Sequence, residues 1–102
     1  MKKVTFDFRE IANVAAFYRQ FVDKFAIEMA FGANLDALWD ALTGLIELPV
    51  CVTLSHLAHH PDRQQFDAII GVMRQAEAET AGQFSLFISQ TGARRPFRAR
   101  LT

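Results

Sequence analysis

The sequence predicts an α/β fold: one compact domain with a three-stranded parallel sheet and helices packed against it. Three observations carry this expectation. Three short segments alternate apolar and polar residues or run β-branched, and the stretches between them repeat apolar residues at three and four. Strands separated by helices pair in parallel through right-handed crossovers. A chain of 102 residues, 51% of them hydrophobic and ten of them Phe, is the size of one domain with one core.

The elements follow in order. Lys3 to Phe8 alternates, with Val4, Phe6 and Phe8 on one face, and reads as a strand. From Arg9 to Phe25 the period changes: Ile11, Val14, Phe17, Tyr18, Phe21, Val22 and Phe25 form the apolar stripe of an amphipathic helix. A connection from Ala26 to Ala33 leads to Asn34, which suits an N-cap because its side chain can accept from free N–H groups of the first turn. The helix it opens ends near Gly44 or Glu47, and Pro49 forbids its continuation. Val50 to Leu54 reads as a buried strand, and Ser55 to His60 as a connection with room for one helical turn. Pro61 and Asp62 open the last helix, lined by Phe66, Ile69, Ile70, Met73 and Ala76, with Gly82 suited to its C′ position. Gln83 to Ser89 is the third strand. The domain is expected over residues 1–90, followed by a basic, mobile tail over 91–102.

The totals exclude several classes. No apolar run approaches the roughly 20 residues that span a bilayer, and the N-terminus lacks the pattern of a signal peptide. A lone cysteine, Cys51, forms no internal disulfide and excludes a cysteine-rich metal site, so the expected compartment is reducing, the cytoplasm. The formal net charge of zero hides an asymmetry. Between Lys24 and Arg63 there is no Lys or Arg, while Glu28, Asp36, Asp40, Glu47 and Asp62 make the middle acidic. The tail carries Arg94, Arg95, Arg98 and Arg100. No basic stripe runs along a helix, so nucleic acid is not the expected partner.

The helix after Asn34 has two faces. Leu35, Leu38, Leu42, Leu45 and Ile46 share an apolar arc, Asp36, Asp40 and Thr43 share another, and Trp39 sits between them. Asp36 suits a first turn, where the helix dipole favours an acid. Asp40 lies mid-helix with no Lys at i+4, and Asp is a weak helix former, so a solvated face explains it poorly. Two carboxylates divide acid and base roles only inside a cleft, which a short exposed helix does not supply. A surface made to meet a positive partner explains both, and Trp is the residue type most enriched at binding hot spots. Trp39 reads equally as a core-edge residue.

Other constellations are weaker. His56, His59 and His60 lack a metal-binding spacing, and a loop of solvated histidines is expected. Cys51 reads as an inert, buried small hydrophobe. There is no glycine-rich phosphate loop and no nucleophile–base arrangement, so no enzyme, cofactor or small-molecule substrate is expected.

The run F-G-A-N-L-D-A-L-W-D-A-L-T-G from Phe31 to Gly44, its acidic-apolar continuation to Pro49 and the short strand beyond resemble the barstar family, bacterial intracellular inhibitors of barnase-type ribonucleases. The resemblance continues more weakly through R-Q-A-E-A-E (Arg74 to Glu79) and the strand Phe84 to Ser89. It implies a three-stranded parallel sheet with packed helices, and a protein partner, a ribonuclease. In that family the helix and its preceding loop plug the nuclease active site. The resemblance implies that Asp40 enters the phosphate-binding pocket, that Asp36 is a second acid at the interface, and that Trp39 lies on the same surface. Gly32 and Asn34 match the loop and cap that bring the backbone close. Phe31 keeps an aromatic in the loop, and Thr43 and Gly44 match the end of the contact helix. The family has an aromatic where this chain has Ala30, a tryptophan at Leu45, and acids at Ala33 and Gln75. Glu77 and Glu79 remain as nearby acids at other helical angles. The alternative reading is a non-inhibitory interaction module on the same scaffold with another partner.

Overall fold

The computed structural model describes residues 2–27 and 32–89. Phe31, Ala30 and the basic tail lie outside the described residues. The order is β1 (Lys2–Asp7), α1 (Val14–Lys24), α2 (Leu35–Asp40) running into one π-helical turn (Ala41–Leu45), β2 (Val50–Ser55), α3 (Asp67–Glu79) and β3 (Phe84–Ile88). Two 3-10 turns, Leu57–His59 and Arg63–Phe66, lie between β2 and α3. The strands form one parallel sheet in the order β1-β2-β3, with Val4 beside Val52 and Val52 beside Leu86. The α/β class, the parallel pairing and the element order are those expected from the sequence.

The strand order fixes the layers. Two right-handed crossovers stepping in the same direction put all the helices on one face. Burial alternates accordingly: Val4, Phe6, Val50, Val52, Leu54, Phe84 and Leu86 are buried, while their neighbours stand on the uncovered face. β2 is therefore not buried on both sides, as its β-branched run suggested. Cys51 is half-buried on the uncovered face rather than enclosed. The core beneath the helices is aromatic, with Phe6 and Phe17 ring centroids 5.0 Å apart and Phe8 and Phe66 4.9 Å apart.

α1 starts later than its apolar period suggests. Asn13 caps it, its side chain accepting from Ala16 N–H at 2.9 Å. Ile11 extends the apolar stripe but is a buried loop residue. α1 and α3 end alike. Ala26 (φ 52°) and Ala81 (φ 55°) hold the left-handed position after the cap. The next residues return to the last turn, Ile27 N–H to Val22 C=O at 3.0 Å and Gly82 N–H to Glu77 C=O at 2.9 Å. Gly82 was expected at C′; Ala81 occupies it, and Gly82 follows at φ 85°.

Candidate protein-binding site

α2 is short and capped at its N-terminus. Asn34 Oδ1 accepts from Ala37 N–H at 2.8 Å, and Asn34 N–H donates to Gly32 C=O at 2.7 Å. A Cβ on Gly32 would lie 3.1 Å from Asn34 Nδ2, so a larger residue there would press on the cap itself. Leu38, Ala41 and Leu42 are fully buried and fix the helix to the core. Burial of Leu38 and Leu42 contributes roughly 1.5–3 kcal/mol each.

This anchoring leaves Asp36 and Asp40 exposed, one turn apart, with Trp39 half-buried beside them and packed against the core. Neither aspartate has an ion pair or hydrogen-bonded side chain among the described residues. Thr43 Oγ1 donates to Trp39 C=O at 2.8 Å, so its hydroxyl fastens the turn beneath the indole. Gly44 is exposed, and a Cβ there would meet nothing within 4 Å. Asp36, Asp40, Trp39, Gly32, Asn34, Thr43 and Gly44 thus lie along one continuous segment; Phe31, the eighth expected residue, lies outside the described residues.

The expected apolar arc breaks at both ends. Leu35 is 39% and Leu45 46% exposed, while Leu38 and Leu42 carry the burial. The cause at Leu45 is the π-helical turn, in which Ile46 N–H bonds Ala41 C=O at 3.0 Å. A bond five residues back adds one residue to the turn and resets the angular register, so Leu45 swings outward. Leu35 stands at the open end of the helix, on the rim of a 440 Å³ groove shared with Val14, Tyr18, Asn34, Asp36 and Ile69. Burial pushes the Tyr18 hydroxyl above its ordinary pKa.

A second groove, of 480 Å³, lies on the Trp39 side and brings Trp39 and Thr43 together with Leu48, Glu79, Thr80 and Gln83. Of the two acids left open on the last helix, Glu79 therefore joins the site. Glu77 is committed elsewhere, to Arg74 and to Leu86 N–H. The sequence offered Glu77 and Glu79 alike as nearby acids, and the packing of α3 against α2 selects Glu79; Leu48 and Gln83, in the connections before β2 and β3, were not singled out because only the fold brings them beside Trp39.

The histidines do not form a solvated loop. His60 Nε2 lies 2.7 Å from Ile11 C=O and its Nδ1 accepts from Asp62 N–H at 2.9 Å, while its ring meets Phe66 edge-on; it pins the β1–α1 loop. His56 Nδ1 lies 3.4 Å from Asp7 Oδ1 without a hydrogen bond, and His59 is exposed. Among the described residues no cluster of His, Cys, Asp or Glu could hold a metal. Asp7 is held down to about 2, first by the hydrogen bonds from the Arg9 guanidinium and backbone, then by the charges of Arg9 and His56. No helix of the described residues is long and apolar enough to cross a membrane.

The chain is in its class a small two-layer α/β domain that presents, on an anchored helix flanked by two open grooves, acids without a partner among the described residues. Comparison with known proteins agrees. The family model described as "Barstar (barnase inhibitor)" matches residues 1–97. A Bacillus subtilis (strain 168) protein named "Putative ribonuclease inhibitor YrdF" is 30% identical over 90 residues, covering 86% of this chain and 99% of its own length. The chain belongs to the barstar family, and these likenesses support a barnase-inhibitor-like role rather than an enzymatic one.

Proposed function

We propose that this chain is a cytoplasmic inhibitor of a barnase-type ribonuclease that blocks the enzyme's active site with α2 and the loop before it. The observation that carries the reading is the pair of exposed aspartates, Asp36 and Asp40, which have no ion pair or hydrogen-bonded side chain among the described residues, on a helix fixed by Leu38, Ala41 and Leu42. A ribonuclease site gathers cations to stabilise phosphate charge. Carboxylates with no partner among the described residues give up no bond to them when they meet those cations. Asp40 stands in for an RNA phosphate, Asp36 adds charge at the rim, and the acidic stretch steers the encounter. Trp39 and Thr43 supply contact surface beside Asp40. Gly32, Asn34 and Gly44 let the partner approach the backbone, and Phe31 completes the loop. Glu79 extends the acidic surface across the Trp39 groove.

The test is RNA cleavage by a barnase-type ribonuclease titrated with this protein and with its Asp36→Asn/Asp40→Asn variant. Stoichiometric inhibition by the wild type, lost in the variant, is expected. Undiminished cleavage at a large excess of folded protein would overturn the reading. One observation favours a second: Leu45 is an exposed apolar residue at the end of the same surface, and Ala33 beside Asn34 carries no charge. An interaction module with another, less basic partner would associate at a rate that barely changes with salt, whereas a steered nuclease complex slows steeply.

A further inference from the structure

We propose that Arg74, Glu77 and Thr80 form a lock on the free edge of β3, and that the surface they close pairs with β3 of a second copy of this chain when the lock is opened. Among the described residues β3 is an edge strand, in the order β1-β2-β3. Gln83 C=O accepts from Val50 N–H at 2.8 Å and Ser89 N–H donates to Leu54 C=O at 3.0 Å. Residues of that parity face β2, so Phe84, Leu86 and Ile88 direct their backbone groups outward. Unpaired groups of this kind are a template for another strand.

The two edges of the sheet are protected differently. β1 carries Lys2, Lys3 and Asp7, charges that discourage pairing. β3 reads F-S-L-F-I, without a charge, and its Phe87 is 60% exposed on the uncovered face. Its protection comes instead from α3. Thr80 Oγ1 accepts from Phe84 N–H at 2.9 Å. Glu77 Oε2 accepts from Leu86 N–H at 3.1 Å. Arg74 Nη1 donates to Leu86 C=O at 3.3 Å and lies 3.3 Å from Glu77 Oε1. One ion pair thus takes up both outward groups of the central residue of the strand. Arg74 is half exposed and Glu77 a third exposed, so water competes for these bonds and the lock is one that can open.

The occupant follows from charge. Pairing β3 with β1 of another copy would set an apolar strand against Lys2 and Lys3. Two β3 strands meeting about a two-fold axis bring together uncharged, identical segments, each supplying the bonds the other lacks.

The experiment is sedimentation velocity of the full chain over a wide concentration range, with Arg74→Ala/Glu77→Ala and the same variant carrying Phe87→Lys. Circular dichroism checks that each is folded. The wild type is expected to stay monomeric. The unlocked variant is expected to associate at least about tenfold more tightly, since two backbone groups regain partners in the pair. Phe87→Lys returns it to monomer by placing a charge on the strand. Amide exchange at Leu86 is slow in the wild type and accelerates in the dilute unlocked variant. A folded unlocked variant that stays monomeric overturns the proposal, as does association that Phe87→Lys leaves unchanged. If the double variant does not fold, Arg74→Ala alone is read in the same way.

Discussion

Replacing Asp40 by Ala separates binding from folding. In the free protein the Asp40 carboxylate is exposed, with no ion pair or hydrogen bond among the described residues, so its removal breaks no polar contact with them. Asp is also a poorer helix former than Ala, and the variant should unfold at equal or slightly higher urea, with a change within about 0.5 kcal/mol. In the complex the balance reverses. Truncating one member of a desolvated charge pair costs roughly 2–5 kcal/mol, a loss of about thirty- to several-thousand-fold in affinity. In the nuclease–inhibitor pair after which the family is named, close charge pairs couple by about 1.5–7 kcal/mol. Much of the cost is the partner's cations left buried and unpaired. The assay is the dissociation constant by stopped-flow association and dissociation at moderate salt, beside urea unfolding of both proteins. A dissociation constant within threefold of wild type would refute the role of Asp40. A stability loss above about 1 kcal/mol would refute the claim that Asp40 is free in the fold.

Three further outcomes are expected. Ala26→Gly and Ala81→Gly should each raise the unfolding free energy in urea by roughly 0.5–1 kcal/mol, because each alanine is held at positive φ, where an L side chain is strained. The folded-state pKa of Asp7 is depressed from 3.8 to about 2, so its contribution to stability is complete above pH 3.8 and is lost as pH falls toward 2. Unfolding curves of wild type and Asp7→Asn should therefore converge across that window, and a constant gap would refute the assignment. Leu45→Trp adds an indole at an exposed position of the contact surface and should tighten binding to a barnase-type enzyme about tenfold; weaker binding would mean a partner shaped around Leu45.

The fold was legible because its signals are local. Alternation marks β1, the period of three and four marks α1, and Asn34 announces α2 through a hydrogen bond only three residues long. What escaped depends on partners distant in sequence. His60 resembles a solvated histidine until the β1–α1 loop brings Ile11 C=O to it. The π-helical turn that exposes Leu45 leaves no periodic trace, because one extra residue in a turn shifts the arc without breaking the apolar run. Ala26 and Ala81 lie where glycine is the usual residue, so composition pointed to Gly82, one position late. Within the site, Asp36, Trp39 and Asp40 were readable from spacing along one helix, whereas Glu79 enters only through the packing of α3 against α2.

The topology also bears on why this surface is the one proposed to bind a partner. In open α/β sheets, small ligands bind in the crevice where the strand order reverses. The order β1-β2-β3 never reverses, so this sheet has no such crevice. All helices lie on one face, and the short α2 cannot bury its full circumference there. Leu38, Ala41 and Leu42 point inward, and Asp36 and Asp40 are left to solvent on a support that the core makes rigid. A helix face held by the core, with acids that have no partner among the described residues, is poorly suited to enclosing a substrate and well suited to entering a cationic cleft in another protein, since its ordering cost was met in folding. The same geometry accounts for the division of labour along α3. Glu79, on the Trp39 groove, has no partner among the described residues, whereas Glu77, two positions earlier and toward the sheet edge, is bound to Arg74 and Leu86. Two acids two residues apart on one helix thus serve opposite ends, one keeping charge available to a partner and the other spending it to close the edge of the sheet.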